Sequence, residues 1–395
     1  MNILFVTNNF FPTPGGISGS IQLFRERLIS LGHTVYVITV AREGSVPDPC
    51  VLYLKSVPDF LKNIPPVFLS SSSELLFYID LVQKYFIPEL RIFTDKIPLN
   101  SYSTCLNNVR AVKIDIVHTH VDFNMGEMAL KLARDIRVPI VYTVHIQNSK
   151  ILHHRMKINS ELDCDMVSVF LANRCDGVVF PSKILRDIFY KKGLQTRSVV
   201  IPTGIDSKKF FVRRTRNIFK NGFVIGTVSR MAAEKNLELL FSVVKYCIGL
   251  HDNIKFLAVG GGPMLEYAYK YFQDKMPQVF FIGNVDPRNI PGLYNEMDCF
   301  LFTSVVETQG ITLTEAQASG LPVIALDCPV SAEVLQSSAF LCRDFEEIVY
   351  TILRIYIADN SILRALSEKA VENSRFLSIE KSTDLLLDFY KKTRI

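Results

Sequence analysis

This sequence has no C-x-x-C among its eight cysteines, no uncharged apolar run of the ~18 residues needed to span a bilayer, and little excess of either charge sign. The cysteines are scattered, several in apolar runs where a thiol acts as a small hydrophobe, which argues against a zinc site and fits a reducing cytosol. Without a spanning run, any membrane contact is peripheral. The first residues, Met1 to Thr7, carry neither a basic n-region nor a small-residue cleavage site, so no secretory leader is expected. A net charge of +5 is too small to argue for a nucleic-acid partner, although it suits anionic substrates or an anionic membrane surface. No short-period repeat is present, and the one low-complexity patch, Ser70 to Ser73, is too short to matter. The expected location is the cytoplasm, either free or on the inner face of a membrane.

What is there is a folded α/β chain. At 395 residues, with 48% hydrophobic and 21% charged residues, it exceeds what one core usually serves, so two domains are expected. Short runs rich in Val, Ile and Phe alternate with longer amphipathic segments, the pattern of parallel sheets covered by helices. Strands are expected at Ile3 to Thr7, Thr34 to Thr39, Ile114 to His118, Ile140 to Val144, Gly177 to Phe180 and Val199 to Ile201. The theme restarts at Phe223 to Val228, Ile254 to Val259, Val279 to Ile282, Cys299 to Phe302 and Val323 to Leu326. Pro202-Thr-Gly-Ile-Asp206 breaks the pattern before a charged segment, Ser207 to Lys220, with no helical or strand period. This places a first domain at 1–205 and a second at 206–376. The stretch from about Arg42 to Val112 is the least legible; it holds an amphipathic candidate, Glu74 to Phe86.

The most informative feature is a pair of glutamates eight residues apart, Glu307 and Glu315, in Ser304-Val-Val-Glu-Thr-Gln-Gly-Ile-Thr-Leu-Thr-Glu315. Glu307 ends the uncharged run that follows Asp298, a buried strand and its exit loop, whereas Glu315 falls in a helical pattern ending before Gly320. Gly310 between them lets the N–H groups of the helix start approach a ligand, and such groups favour phosphate. Two carboxylates beside an anion site suit a nucleotide sugar, whose ribose and hexose offer hydroxyl donors on either side of a diphosphate. The plainer alternative is a pair of solvated charges at a helix start, which the helix dipole also favours.

Other loops at strand ends carry further candidates. Gly15 and Gly16, in Phe10-Phe-Pro-Thr-Pro-Gly-Gly-Ile-Ser18, open a helix near Ser20 and permit close backbone approach to a phosphate, or simply form a turn. No G-x-G-x-x-G occurs in that loop, which counts against a dinucleotide fold and an oxidoreductase. Arg230 and Lys235, past the end of a strand, can clamp a diphosphate that gains charge as a glycosidic bond breaks; alternatively they pair with Glu234 as solvated charges. Ala258-Val-Gly-Gly-Gly-Pro263 reads most simply as a tight chain reversal. Two histidines, His120 and His145, lie at the ends of strands and could converge, or be satisfied structural residues. His118 is expected to point the other way along its strand. No DxD-type metal motif lies at a strand end, so neither metal nor cofactor is expected.

The E-x7-E pair in this setting resembles the family-4 glycosyltransferases, retaining enzymes of the GT-B fold, and the resemblance covers nearly the whole chain. It implies two doubly wound Rossmann-like domains facing across a cleft, with the C-terminal helix, 377–395, crossing back onto the first. It implies that Arg230 and Lys235 bind the donor diphosphate and that Glu307 holds the hexose and Glu315 the ribose. Gln309, Gly310 and Ile311 would lie near sugar and phosphate, Gly15 and Gly16 at the donor phosphate and sugar, and Ala258 to Pro263 as a floor under the donor. Val285, in Gly283-Asn284-Val285, would lie where the base is read through backbone groups. His145 would lie beside the reacting sugar, and His120 matches a second histidine on the acceptor side. The implied reaction is same-face departure and attack, with the leaving phosphate helping to deprotonate the acceptor.

The strings Asp115 to Gly126, Pro139 to His145 and Ile201 to Asp206, with Thr308 and Gln309 after Glu307, are similar to the diacylglycerol glucosyltransferase branch. They point to glucose moving from UDP-glucose to a membrane lipid. Lys183 to Lys220, basic with Phe189, Tyr190, Phe210 and Phe211 interleaved, is either a surface for anionic lipid or a soluble basic face plus linker. Two departures concern the acceptor. The tyrosine-rich segment after His145 is replaced by Ile146 to His154, and the glycine-containing loop beyond Asp327 by Cys328-Pro-Val-Ser-Ala-Glu333. The alternatives are a soluble transferase of the same fold acting on a sugar, small molecule or protein, and a non-catalytic sugar-nucleotide-binding protein. The oligomeric state is not fixed by the sequence.

Overall fold

The computed structural model describes residues 1–11, 15–40, 45, 47–54, 99–147, 165–212, 216–272 and 276–394. The amphipathic candidate Glu74 to Phe86, most of the segment after His145, and Arg213 and Arg214 lie outside them. The chain divides into two compact units. One holds most of the residues up to Ile201 together with Thr383–Ile395, and the other holds Pro202–Ser382.

The first unit is built on a parallel sheet whose described strands run in the order β3-β2-β1-β4-β5-β6-β7. These are β1 (Asn2–Val6), β2 (Thr34–Val40), β3 (Val51–Leu54), β4 (Ile116–Thr119), β5 (Ile140–Thr143), β6 (Gly177–Phe180) and β7 (Ser198–Val200). The order reverses direction at β1, with β4 on its other side, which is the switch point where doubly wound sheets place ligands. Central strands β4, β5 and β6 are buried along their whole length; the helices Phe123–Ile136 and Asp165–Ala172 separate them in sequence, and the first of these packs on β4 and β5.

The second unit repeats the plan in the order β10-β9-β8-β11-β12-β13. Its strands are β8 (Phe223–Val228), β9 (Ile254–Val259), β10 (Val279–Gly283), β11 (Cys299–Phe302), β12 (Val323–Leu326) and β13 (Phe340–Cys342). Here the switch lies between β8 and β11. The loops after those two strands carry Arg230 to Asn236 and Thr303 to Gly310. No helix or strand occurs among the described residues of Ser207 to Lys220, in keeping with their lack of period.

The end of the chain is fixed by close contacts. Ile205 and Leu377 to Ile379 exchange backbone hydrogen bonds of 2.9 and 3.0 Å, and a Cβ at Gly204 would lie 2.3 Å from the Ser378 and Ile379 backbone. Glycine at 204 is therefore required by packing. The helix Ile379–Thr393 then places Phe389 against Gly177 and Tyr390 within the first unit, and Arg394 reaches Asp115 at 2.9 Å.

Candidate active site

In the second unit the two glutamates stand as their spacing suggests. Glu307 is in the loop after β11, and Glu315 is in the helix Ile311–Ala318. Gly310 precedes that helix with φ 72°, a left-handed conformation that a side chain would strain, and an added Cβ would also meet Leu313 at 2.9 Å. Gly320, at φ 73°, ends the helix, with Leu321 N–H returning to Ala316 O at 3.0 Å. Ile311, the first helical residue, is half-buried.

Glu307 and Lys235 form an ion pair between side chains that are both largely shielded from solvent. The structure thus joins the ammonium placed after β8 with the carboxylate placed after β11, whereas the solvated alternative paired Lys235 with Glu234. Arg230 is exposed at the start of the same loop. The loop is shaped by bonds to its backbone: Thr303 Oγ1 donates to Lys235 O at 2.9 Å, Ser304 Oγ to Glu234 O at 3.2 Å, and Met231 N–H to Gly261 O at 3.0 Å.

The run Gly260 to Gly262 lies directly under this loop. A Cβ at Gly260 would come within 2.0 Å of Ser229 O, and one at Gly262 within 2.3 Å of Met231 O. Close approach of two backbones therefore accounts for these glycines, consistent with a chain reversal. Asn284 Oδ1 accepts from Gly261 N–H at 2.9 Å, tying in the loop after β10 where Val285 is half-buried.

Glu315 is held differently. Tyr294, fully buried, donates its hydroxyl to Glu315 Oε2 at 2.8 Å. Burial pushes the Glu315 carboxyl up to about 7, with the tyrosine hydroxyl acting in the opposite direction. Gln309 is committed elsewhere: its amide accepts from Thr203 N–H at 2.8 Å and donates to Thr203 O at 2.7 Å. The side chain expected near the sugar and phosphate is thus occupied with the segment entering this unit, and only its backbone is left for a ligand.

In the first unit, Gly15 precedes the helix Gly16–Ser30, and both glycines are exposed. The helix starts four residues before the expected Ser20, its first turn closed by Gly19 N–H to Gly15 O at 3.0 Å. His120 and His145, just past β4 and β5, do converge: Nδ1 of His120 and Nε2 of His145 are 3.0 Å apart, and the rings stack at 5.3 Å. His118 does not point away. Residues two apart on a strand share a face, and its ring lies 4.1 Å from that of His120. Burial lowers all three, His118 to about 3 and His145 to about 4, with His120 well below the usual imidazole range. These imidazoles are neutral at pH 7.

The basic and aromatic stretch is not one exposed face. Phe189 is fully buried in the first unit and Phe210 packs edge-on to Tyr294 at 5.8 Å in the second, leaving Tyr190 and Phe211 exposed in different units. Of the two departures near the acceptor side, the one after Asp327 forms the short helix Pro329–Leu335. Among the described residues, no helix is long and apolar enough to cross a membrane.

Two family descriptions match the chain back to back. Residues 14–209 match Glycosyltransferase Family 4, and residues 208–373 match glycosyl transferases group 1. The chain is 26% identical to an alpha-monoglucosyldiacylglycerol synthase of Streptococcus pneumoniae over 95% of its own length and 82% of that protein's. It is equally 26% identical to the alpha-monoglucosyldiacylglycerol synthase of Acholeplasma laidlawii, over 82% of this chain and 80% of that one. Among solved structures, Anabaena HepE in complex with UDP and glucose superposes with a TM-score of 0.75 at 19% identity, covering 99% of this chain and 100% of that one. Two parallel, doubly wound sheets, a strand-end site in each unit and two contiguous family matches lead to one assignment: the chain belongs to the family-4, group 1 glycosyltransferases of the GT-B fold.

Proposed function

We propose that the protein transfers glucose from UDP-glucose, with retention of anomeric configuration, to the hydroxyl of a membrane glycerolipid such as diacylglycerol. The observation that carries the reading is the Lys235–Glu307 pair, which brings together a cation suited to phosphate and a carboxylate suited to sugar hydroxyls. The two alpha-monoglucosyldiacylglycerol synthases support the choice of sugar and acceptor.

On this reading Arg230 and Lys235 neutralise the diphosphate as it leaves, Glu307 orients the hexose, and Glu315 accepts from the ribose hydroxyls. Gly310 and Ile311 offer backbone N–H groups to the phosphates, as do Gly15 and Gly16, and the backbone near Val285 reads the base. His145 lies at the reacting sugar, with His120 behind it. These groups position and stabilise charge rather than shuttle protons, and the leaving phosphate takes the acceptor's proton. Two fixed cations at the diphosphate do the work that a metal would otherwise do, so no metal is needed. The enzyme acts at the inner face of a membrane.

The test is equilibrium binding of UDP, UDP-glucose, GDP-mannose and NAD to the wild type and to Lys235→Ala, followed by glucose transfer to diacylglycerol vesicles. Preference for UDP compounds, weakened in the variant, is expected. Binding that is absent, or indifferent to Lys235→Ala, would overturn the site, and UDP-glucose binding without transfer to the vesicles would overturn the acceptor.

A further inference from the structure

Behind the histidine pair lies a second polar pair that the reaction as described does not use. His118 is 1% exposed and Tyr390 0%, and Tyr390 Oη lies 2.5 Å from His118 Nδ1. The other ring nitrogen, Nε2, lies 2.6 Å from Thr143 Oγ1. His118 and Thr143 each stand two residues before a member of the pair, on neighbouring strands β4 and β5. The register sets His118 opposite Val141, so the His118–Thr143 and His120–His145 contacts both run diagonally across β4 and β5, one after the other on the same face. The edge of Phe5, from β1, closes both imidazoles in, with ring centroids 5.5 Å from His118 and 4.7 Å from His120.

Chemistry decides the direction of these bonds. A buried phenol that only accepted would leave its own proton without a partner, at the full desolvation cost of a buried donor. Tyr390 O–H therefore donates to His118 Nδ1, which fixes the neutral ring with its proton on Nε2, and Nε2–H donates to Thr143 Oγ1. A neutral His118 stacked on His120 adds no charge behind the pair, and its two bonds prevent the ring from turning.

We propose that Tyr390 and His118 are positioning residues: the C-terminal helix locks His118 as its Nε2–H tautomer, and His118, through Thr143 and ring contact, sets the orientation of His120 and His145. The inference rests on the reading of His145 as the histidine at the reacting sugar. It gives the returning helix a role in the chemistry of the first unit beyond anchoring the chain.

The experiment uses full-length protein labelled with ¹⁵N-histidine, with ring nitrogens followed by NMR, and UDP release from UDP-glucose measured alongside. In the wild type His118 should show one tautomer, Nε2–H, unchanged from pH 5.5 to 8. Tyr390→Phe keeps the ring but removes the donor. It should mix the His118 tautomers, shift the His120 and His145 nitrogens, and lower kcat about tenfold with KM for UDP-glucose unchanged. Unmoved His120 and His145 resonances would overturn the proposal whatever the turnover. If Tyr390→Phe does not fold, Thr143→Val, which removes the other partner of His118, is read in the same way, and unmoved resonances there overturn it equally. His145→Ala separates the two claims. Full turnover in His145→Ala would refute the role of His145 itself, whereas its loss beside an unaffected Tyr390→Phe would refute only the positioning role.

Discussion

The carboxyl of Glu315 offers a test in which stability and binding must change in opposite senses with pH. Its value is raised from 4.5 to about 7 by burial in the helix Ile311–Ala318. Below pH 4.5 the group is protonated in both folded and unfolded chains and makes no difference. Between 4.5 and 7 the unfolded chain loses the proton first, so folding stability falls as pH rises, and above 7 the penalty is constant. A shift of this size corresponds to up to about 3 kcal/mol at 1.36 kcal/mol per unit. Glu315→Gln, which cannot ionise, should therefore gain up to about 3 kcal/mol over the wild type at pH 8 and nothing at pH 4.5, read from denaturant midpoints.

Binding runs the other way. Ribose hydroxyls donate to a carboxylate, so on the proposed reading UDP-glucose selects the ionised form and expels the Glu315 proton below pH 7. With a value of about 7, the ionised fraction, and hence the affinity, should be about 30-fold lower at pH 5.5 than at pH 8. The diphosphate diester does not titrate in this window, and His118 and His145, at about 3 and about 4, lie below it. Calorimetry in two buffers of different ionisation enthalpy should count close to one proton released at pH 5.5, and Glu315→Gln should flatten the profile. Affinity constant within about twofold across the window, or the same slope in Glu315→Gln, would refute the assignment of Glu315 to the ribose.

Other perturbations address other links. Gln309→Ala would remove both hydrogen bonds that tie its amide to the backbone of buried Thr203, and should cost roughly 1–3 kcal/mol by chemical denaturation. A loss below about 1 kcal/mol would show that this tie does not hold the segment. Lys208 and Lys209 are exposed, and on the proposed membrane reading their joint replacement by Gln should weaken sedimentation with anionic vesicles by about 30-fold, from about 1 kcal/mol each. Unchanged sedimentation would remove the basic segment from the argument for a lipid acceptor.

The sheets were legible in the sequence because their central strands are buried on both faces and so read as uncharged, largely apolar runs. All eleven expected strands are present, five with the expected ends and six with ends moved by a residue or two. The two that escaped notice, Val51–Leu54 and Phe340–Cys342, are edge strands, and their apolar runs are short and only partly buried. Glu307 and Glu315 were legible because their spacing straddles a loop and a helix start. The tie from Gln309 to Thr203 was not, since it joins loops 106 residues apart that carry no periodicity. Nor was Tyr390, which meets His118 across 272 residues. His118 itself was misread although strand alternation, correctly applied, puts residues 118 and 120 on one face.

How the site is built also determines what a substitution in it can report. The main chain of the loop carrying Arg230 and Lys235 is held by the hydroxyls of Thr303 and Ser304 and by the carbonyl of Gly261, with glycines at 260 and 262 letting the neighbouring backbone close in beneath it. None of these bonds uses the guanidinium or the ammonium. Lys235→Ala removes the ion pair with Glu307 but none of the bonds that shape the loop. Gly260→Ala, by contrast, would drive a Cβ to 2.0 Å from Ser229 O and displace the whole loop. A binding defect in Lys235→Ala with an unchanged melting temperature therefore reports the lost cation, whereas the same defect in Gly260→Ala would report only a lost scaffold.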